Sequence, residues 1–162
     1  MKTIRLTQGK FALVDNEDFE RLNAHQWHVK KRVHKCRTIW YAARNETCGT
    51  NKQRTLLMHR EILGVCVYDV DHKNGNGLDN KKENLRQATR RQNNQNQHKQ
   101  LNCSSLFKGV CWYSQTNKWR AQIQINGRNQ HLGYFENETA AAQAYDRAAK
   151  HHFEEFALTN CN

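Results

Sequence analysis

The chain of 162 residues has few apolar residues and no closely paired cysteines. No stretch approaches the roughly 20 apolar residues that span a bilayer, and the N-terminus lacks the basic, apolar and small-residue succession of a signal peptide. We therefore expect a soluble, cytoplasmic protein with no membrane partner. None of the six cysteines forms a Cys-x-x-Cys pair, so neither a zinc knuckle nor a disulfide framework is indicated. We expect free thiols, several of them buried.

Acidic residues are also scarce. The 15 Asp and Glu are outnumbered by 26 Lys and Arg, which gives a formal net charge of +11. In a soluble protein this excess favours a polyanionic partner, first of all nucleic acid. Residues 1–103 hold 20 basic and 10 acidic side chains, whereas residues 104–162 hold 6 and 5, so the two halves should bind that partner differently. A hydrophobic content of 37% allows modest cores, and two small domains fit the length.

The N-terminal part of the chain is expected to be rich in strands. Residues 3–15 have the pattern of a strand, a turn and a second strand. Between positions 27 and 43 a basic run interleaves with aromatic and β-branched residues, which predicts twisted antiparallel strands with one cationic face, although a merely solvated face is equally compatible. The run consists of Lys30, Lys31, Arg32, Lys35 and Arg37. Residues 56–63 predict a strand passing into a helix that carries His59.

The segment from Val70 to Asn93 concentrates polar residues of the kind that hydrolyse phosphodiester bonds. Such hydrolysis needs a base that activates water and a divalent ion that stabilises the phosphate and the leaving oxygen. Asp71 offers a carboxylate oxygen and Asn93 an amide oxygen to magnesium or manganese, while His72 can accept a proton near neutral pH. Adjacent strand residues point to opposite faces, so Asp71 and His72 can act together only if the strand twists or ends there. Residues 73–77 supply such an ending.

A helix should follow this segment. Thr89 and Gln92 have the spacing of a capping box, which places Asn93 in the opening turns of the helix. Asn94 is the main alternative as metal ligand, and Gln97 and His98 lie close enough in sequence to keep the assignment open.

Taken in order, the Asp-His pair, the glycine turn, residues 83–86 and the capped helix resemble the His-Asn-His (HNH) endonucleases of the ββα-metal type, in the variant common among phage and intron-encoded homing enzymes. The resemblance implies a β-hairpin and a helix that clasp one divalent cation, Mg2+ or Mn2+. It implies His72 as the general base, and Asp71 and Asn93 as metal ligands. Asn84 corresponds to the residue that braces the hairpin and orients the histidine, and His59 matches an upstream histidine with a supporting or phosphate-facing role.

The pattern changes beyond residues 99–106, which have little apolar content and resemble a linker. Residues 107–113, 118–126 and 129–135 predict three strands, the last two joined by the hairpin turn Asn126-Gly127. In the second strand apolar and polar residues alternate, so one face should pack and the other should meet a polar partner. Asn137 should cap an Ala-rich helix over about residues 138–152. Because acidic residues gather on the helix and basic ones on the strands, we expect the sheet to face DNA.

This C-terminal module resembles the plant ethylene-response-factor (Apetala-two) DNA-binding domain over nearly its whole length. The resemblance implies a three-stranded sheet that enters the major groove of double-stranded DNA. Several strand positions that are Arg or Trp in the plant regulators differ here, among them Cys111, Gln122 and His131, so the plant target sequence is not implied. The matching segments are Lys108-Gly109-Val110, Trp119-Arg120-Ala121, Leu132-Gly133-Tyr134-Phe135, residues 140–149 and Phe156-Ala157-Leu158-Thr159-Asn160.

The sequence therefore predicts an α+β protein with two modules. An HNH nuclease domain covers residues 1–98, with its ββα-metal (His-Me finger) core at about 66–98, and an ethylene-response-factor-like domain covers 107–162 after a linker over 99–106. The predicted activity is site-directed, metal-dependent cleavage of double-stranded DNA by a monomer or weak dimer without a small-molecule cofactor. The residues expected to contact DNA are Lys30, Lys31, Arg32, Arg37, His59, Arg86, Arg90, Arg91, Lys108, Lys118, Arg120, Gln122, Gln124, Arg128 and His131.

Two other functions are compatible with parts of the sequence. A DNA-binding regulator could keep the nuclease fold as a clamp, but the joint presence of Asp71, His72, Asn84 and Asn93 argues against it. An RNA-binding protein could stack bases on Trp and Tyr side chains. This second alternative leaves the Asp-His pair unexplained.

Overall fold

The computed structural model describes residues 1–34, 37–49, 52–64, 67–96 and 104–161. The chain divides into two compact units, Met1–Asn93 and Asn94–Asn162. The predicted domain limit at residue 98 and most of the predicted linker over 99–106 lie outside the described residues. These limits stay predictions.

Within the described residues the secondary structure is mixed, with small antiparallel sheets and few helices. The α+β class is thereby confirmed. The strands are β1 (Lys2–Arg5), β2 (Phe11–Val14), β3 (His28–His34), β4 (Arg37–Cys48), β5 (Lys52–Leu57), β6 (Asp69–His72), β7 (Leu85–Ala88), β8 (Val110–Tyr113), β9 (Lys118–Ile125) and β10 (Arg128–Phe135). The α-helices are α1 (Asn16–Asn23), α2 (Met58–Leu63), α3 (Arg90–Gln95) and α4 (Glu138–Phe153).

The core of the first unit extends from the N-terminal hairpin to the strands that carry the Asp-His pair. β1 and β2 pair antiparallel, as the sequence predicts, and alternation along β1 turns Ile4 inward. Ile4 packs in one apolar cluster with Leu22 of α1, Met58 of α2, Val70 of β6 and Leu85 of β7. Because this cluster includes residues of both β6 and β7, the N-terminal extension and the predicted nuclease core share one hydrophobic interior.

The basic run lies on β3, the first strand of the antiparallel sheet β3-β4-β5. Lys30 lies opposite Tyr41, and Lys31 lies opposite Trp40. Because successive side chains alternate between faces, Lys30 and Arg32 share one face, whereas Lys31 lies on the other with its Nζ 5.6 Å from the ring centroid of Trp40. Of the run, Lys30, Lys31 and Arg32 have described side chains, and the alternation separates Lys31 from the other two. A single cationic face over the whole run stays a prediction.

β6 and β7 pair antiparallel, and α3 follows β7 after Thr89. The predicted capping box is confirmed. The N–H of Gln92 donates to Oγ1 of Thr89 (3.3 Å), and the N–H of Thr89 donates to Oε1 of Gln92 (2.8 Å). Asn93 consequently lies within the first turns of α3.

The second unit is a three-stranded sheet in the order β10-β9-β8 with α4 packed on one face. The predicted alternation in β9 is confirmed, because Ala121 and Ile123 are buried beneath α4 against Ala141 and Tyr145. The helix begins where the sequence predicts, with Oδ1 of Asn137 accepting the N–H of Ala140 at 2.7 Å. The other face of the sheet is left for polar side chains.

Two expectations from composition can be compared with the described residues. No helix among them is long and apolar enough to cross a membrane. The three described cysteines, Cys48, Cys111 and Cys161, are free thiols. Cys48 is exposed and the other two are partly exposed, so the expected burial of several cysteines stays a prediction for those outside the described residues.

Gly109 forms a tight turn immediately before β8. Its φ is +76°, and a Cβ at this position would overlap the ring of Tyr145 and lie 2.6 Å from the carbonyl oxygen of Gln122. Gly109→Ala should lower the free energy of unfolding by about 2–4 kcal/mol, because overpacking costs about 1–3 and the left-handed backbone about 1. Urea denaturation followed by tryptophan fluorescence measures this loss.

Gly127→Ala is the matched control. Gly127 has a φ of +79° but no atom within 4 Å of the added Cβ, so only the backbone cost of about 1 kcal/mol remains. Equal losses in the two variants would show that the contact with Tyr145 does not matter.

Candidate active site

The predicted Asp-His pair lies at the end of β6. Asp71 is opposite Arg86 and His72 is opposite Leu85 in the β6–β7 ladder. In the turn that follows, the N–H of Gly75 donates to the carbonyl oxygen of His72 at 2.8 Å. The strand thus ends where the sequence predicts, yet both side chains of the pair are buried, each 5% exposed. Because they leave opposite sides of the strand, the carboxylate and the imidazole have different surroundings.

The carboxylate of Asp71 is held by Arg86. Nε and Nη2 of the guanidinium lie 2.8 and 2.7 Å from Oδ2 of Asp71. The side chains are only 6% and 10% exposed, and charge-assisted bonds of this kind orient a carboxylate firmly. Arg86 is a predicted DNA contact, but the register of the ladder places its guanidinium on Asp71 and leaves little of it exposed.

Asn84 braces the loop between β6 and β7. Its Oδ1 accepts the N–H of Asn74 (3.0 Å), and its Nδ2 donates to the carbonyl oxygen of Asp79 (2.7 Å). The bracing that the family resemblance implies therefore has a counterpart in these two bonds. The ring of His72 contacts a different amide, since Oδ1 of Asn80 lies 3.4 Å from Nε2 of His72.

Two buried histidines and a half-buried tyrosine form an aromatic cluster. The ring centroids of His59 and His72 lie 4.9 Å apart, and Tyr41 lies 5.6 Å from His59 and 5.9 Å from His72. Nδ1 of His59 is buried without a hydrogen-bond partner in the described part of the chain. Burial, followed by the charges of His72 and Arg60, lowers the pKa of His59 from 6.5 to about 3. His59 is therefore neutral, and at 4% exposure it presents little surface to a phosphate.

Burial also lowers the pKa of His72 below 6.5. The hydrogen bond to Asn80 and the charges of Asp71 and Asp79 oppose this shift. The imidazole is consequently neutral near neutral pH and can accept a proton, which is the state that a general base needs.

The loop after β6 packs tightly against β4 at Gly77. A Cβ on Gly77 would overlap the carbonyl oxygen of Trp40 and lie 2.7 Å from the ring of Tyr41. Only glycine allows this approach. The close packing keeps the loop beside Tyr41, which in turn touches both histidines.

A cleft of about 410 Å³ opens beside the aromatic cluster. Asn93 of α3 lies on its wall, whereas Asn94 is exposed and is not among its lining residues. Asp69 is its acidic member and forms an ion pair with Arg60 at 3.2 Å. Cations around a cleft raise the local concentration of anionic ligands. The lining residues are Lys30, Lys31, Arg32, Tyr41, Leu57, His59, Arg60, Asp69, Val70 and Asn93.

Three other predicted DNA contacts belong to β4 and α3. Arg90 and Arg91 are exposed on α3. The side chain of Arg37 is outside the part of the chain that the structure describes.

The polar face of the C-terminal sheet lies opposite α4. The β9–β10 register aligns Arg120 with Tyr134, Gln122 with His131 and Gln124 with Asn129. The guanidinium of Arg120 lies 5.2 Å from the ring centroid of Tyr113, a cation–π contact. Three of the predicted strand contacts, together with His131, therefore share one face.

Two predicted contacts lie elsewhere in this unit. Arg128 is aligned with Ile125, so alternation assigns it to the opposite side from Gln124. Lys108 precedes β8, and its Nζ donates to the carbonyl oxygen of Gln95 at 2.6 Å. Burial lowers the pKa of Lys108 to about 8. Register therefore separates Arg128 from the face that carries Gln124, and the Nζ of Lys108 is bonded to Gln95. The DNA contacts of both residues stay predictions.

The two residues predicted to bind a metal ion, Asp71 and Asn93, offer oxygen atoms. No three His, Cys, Asp or Glu side chains gather as a metal site among the described residues. Asp71 and Asn93 supply a carboxylate and an amide, and magnesium is commonly held by one or two carboxylates together with water and substrate phosphate. The chemistry of these two side chains fits a hard divalent cation, and their joint role as its ligands stays a prediction.

Tyr41 and Asn80 are site residues that the sequence analysis does not assign. Tyr41 comes from a strand distant in sequence, so no local pattern indicates it. Asn80 stands inside the polar motif. Its role becomes visible only when the path of the loop brings its amide to His72.

Comparison with known proteins supports a nuclease or DNA-binding role. Residues 67–95, which include Asp71, His72, Asn84 and Asn93, match the family model of HNH endonucleases. An uncharacterized HNH endonuclease of Acanthamoeba polyphaga mimivirus is 38% identical over 128 residues, covering 75% of this chain and 66% of the viral protein. No solved structure matches this chain.

Plant regulators match a shorter part of the chain. APETALA2-like protein 2 of Oryza sativa subsp. japonica is 46% identical over 46 residues, which cover 28% of this chain and 11% of the rice protein. An AP2-like ethylene-responsive transcription factor of Arabidopsis thaliana has the same identity over the same length, 10% of its own sequence. The match thus spans about a tenth of each plant relative, and the combination of two modules stays a prediction.

The buried, neutral His59 should make the protein sensitive to acid. Its pKa is about 3 when folded and near 6.5 when unfolded, so the unfolded state binds the proton more readily between these values. The contribution to stability is present above pH 6.5 and is lost as the pH falls, by about 1.4 kcal/mol per pH unit for one proton. Urea unfolding of wild type and His59→Phe at pH 7.5 and 5.5 should show a smaller acid loss in the variant.

The control is His25→Phe, which changes an exposed histidine of the same unit. This variant should lose as much stability in acid as wild type. If His59→Phe did the same, the burial of His59 would not be the source of the acid sensitivity.

Proposed function

We propose that the chain is a site-directed DNA endonuclease that hydrolyses phosphodiester bonds with one divalent metal ion and His72 as general base. The observation that carries this proposal is the neutral, buried imidazole at the end of β6, inside the segment that matches HNH endonucleases. A base that is uncharged at working pH can take a proton from water as that water attacks phosphorus.

Each polar group of the site has a separate task in this proposal. His72 accepts the proton of the attacking water. Asp71, oriented by Arg86, and Asn93 on α3 hold Mg2+ or Mn2+. The ion, when bound, stabilises the charge on the phosphate and on the leaving oxygen. Asn84 keeps the loop between β6 and β7 in place.

The cleft beside the aromatic cluster is proposed as the path of the DNA backbone. Lys30, Arg32 and Arg60 line it together with Asn93. Their cationic groups would neutralise phosphates on either side of the scissile bond, a contact that carries affinity rather than sequence preference.

The polar face of the C-terminal sheet is proposed as a second binding surface for double-stranded DNA. A sheet of this size fits the major groove, where Arg and Gln side chains can bond base edges. Arg120, Gln122, Gln124 and His131 share this face by register. Binding by this face would direct cleavage to particular DNA sequences.

Cleavage of supercoiled plasmid with Mg2+ or Mn2+ tests the catalytic assignments. His72→Ala should cut about 100- to 10,000-fold more slowly, because general-base catalysis contributes that much. Asn93→Ala should bind the metal ion more weakly, so that a higher metal concentration is needed for the half-maximal cleavage rate. The rates of nicked and linear product formation are read from gels.

Two matched variants serve as controls for this assay. His25→Ala removes an exposed histidine and should cut at the wild-type rate. Asn94→Ala tests the neighbouring amide. If Asn94→Ala needed more metal for half-maximal cleavage and Asn93→Ala did not, Asn94 would be the metal ligand instead of Asn93. Cleavage by His72→Ala at the wild-type rate would exclude His72 as the general base. A wild-type chain that cuts no DNA with either metal would favour a non-catalytic DNA-binding protein.

Binding to duplex DNA tests the C-terminal sheet. Arg120→Gln removes one positive charge from the polar face and should weaken binding by about 1–2 kcal/mol, or about five- to thirtyfold. Arg147→Gln makes the same charge change on α4, where the residue is exposed, and should have little effect. Fluorescence anisotropy at matched salt measures both, and equal weakening would mean that charge alone, rather than the sheet face, governs affinity.

A further inference from the structure

The polar face of the C-terminal sheet carries three carboxamides. Gln122 and Gln124 lie two residues apart on β9, and Asn129 of β10 lies opposite Gln124. Gln124 and Asn129 are exposed, and Gln122 is half-buried. A carboxamide can donate and accept a hydrogen bond at the same time. In the major groove the base that offers such a pair of groups to Asn or Gln is adenine, through its N6 and N7 atoms.

The same face has few groups that read the other two bases with strong polar contacts. Guanine is bound mainly by Arg or Lys, and cytosine by Asp or Glu. The guanidinium of Arg120 lies over the ring of Tyr113, and the Nζ of Lys118 lies 2.7 Å from a carboxylate oxygen of Glu136. Strands β8, β9 and β10 contain no Asp or Glu. The cations of this face therefore already contact protein groups, and no carboxylate of these strands can contact cytosine.

A row of aromatic rings lies beside the carboxamides. The ring centroid of Tyr134 is 5.3 Å from that of Tyr113 and 4.6 Å from that of His131. Its two neighbours support the ring of Tyr134, which is nevertheless 43% exposed. Thymine is the base that carries a methyl group on its major-groove edge, and apolar side chains contact that methyl group. Both bases of an A·T pair thus have a chemical counterpart on this face.

We propose that this face reads A·T base pairs, with Gln122, Gln124 and Asn129 bonding adenine and the ring of Tyr134 contacting a thymine methyl group. Residues two apart on a strand are separated by about 6.8 Å, which is about twice the rise of 3.4 Å per base pair. When β9 follows the groove, Gln122 and Gln124 therefore meet bases two steps apart, and Asn129 lies within about 5 Å of Gln124. The preferred site is a short run of A·T pairs. This inference rests on the proposed binding of duplex DNA by the sheet.

Selection from a random pool of duplex DNA tests the preference. The full-length chain is incubated with the pool in the presence of a metal chelator, so that binding is measured without cleavage, and the bound duplexes are sequenced. We expect a short run of A·T pairs to be enriched. Enrichment of G·C pairs, or no enrichment at any position, would overturn the proposal.

Single variants identify the residues that read the bases. Each A·T pair of the selected site is replaced in turn by G·C, and affinities are measured by fluorescence anisotropy at matched salt. For wild type, replacement of a contacted pair should weaken binding by about 5- to 150-fold. Gln122→Ala, Gln124→Ala and Asn129→Ala should each lose this discrimination at one pair.

Gln130→Ala is the matched control. Gln130 is an exposed carboxamide of β10, but it lies opposite the buried Ile123 and so belongs to the other face of the sheet. This variant should discriminate between the bases as wild type does. Discrimination that stays complete in all three variants of the polar face would assign the preference to another part of the chain and overturn the proposal.

Uracil in place of thymine tests the contact of Tyr134, because this change removes the methyl group and keeps the base pairing. Wild type should bind the uracil duplex about fourfold more weakly for each contacted methyl group. Tyr134→Ala should bind both duplexes equally, whereas Tyr134→Phe keeps the ring and should behave as wild type. Equal binding of the two duplexes by wild type would overturn the thymine contact.

The outcomes separate this inference from the proposed function. A chain that cuts DNA with metal but selects no run of A·T pairs would retain the endonuclease function and lose only the reading of A·T pairs. A chain that selects A·T pairs but cuts no DNA would retain the reading and lose the endonuclease function. A chain that binds no duplex DNA would overturn both.

Discussion

The site depends on the hydrogen bonds that fix the loop between β6 and β7 on the rest of the first unit. Asn84 hydrogen-bonds to the backbones of Asn74 and Asp79 in this loop. The backbone of Leu13, in β2, hydrogen-bonds to the backbones of Leu78 and Asn80. Part of this loop is exposed, but Gly77, Asp79, Asn80 and Asn84 are buried. Buried backbone groups must be satisfied internally, so these bonds allow that part of the loop to lie beside the core. Once the loop is held there, the ring of His72 is enclosed and its pKa falls.

Burial has opposite consequences for the charged and the neutral groups of the site. Asp71 keeps its position because Arg86 compensates its charge within the same ladder. The two histidines have each other and Tyr41 as neighbours, and burial keeps them uncharged. A paired anion and a neutral base can therefore occur on adjacent residues of one strand. The side chains of Lys30, Arg32 and Arg60 lie outside this interior, around the cleft.

The two units use sheets in different ways. In the first unit small sheets pack around an apolar cluster and leave a cleft open. In the second unit one face of a single sheet packs against a helix, and the other face carries polar side chains. The first arrangement suits chemistry on a single bond, because groups from several elements converge. The second suits recognition of an extended partner, because a strand repeats its outward side chains at regular spacing.

The sequence by itself determined whatever depends on near neighbours in the chain: the capping box at Thr89, the cap at Asn137, the alternation in β9, the end of β6 at His72 and the α+β class. The residue types of the candidate site, Asp71, His72, Asn84 and Asn93, could be named for the same reason. Only the tertiary structure decided that Arg86 pairs with Asp71, that the basic run of β3 is divided between two faces, and that Tyr41 and Asn80 meet His72. These contacts depend on strand register and on the path of a loop across the core, and both are set by packing between segments far apart in the sequence.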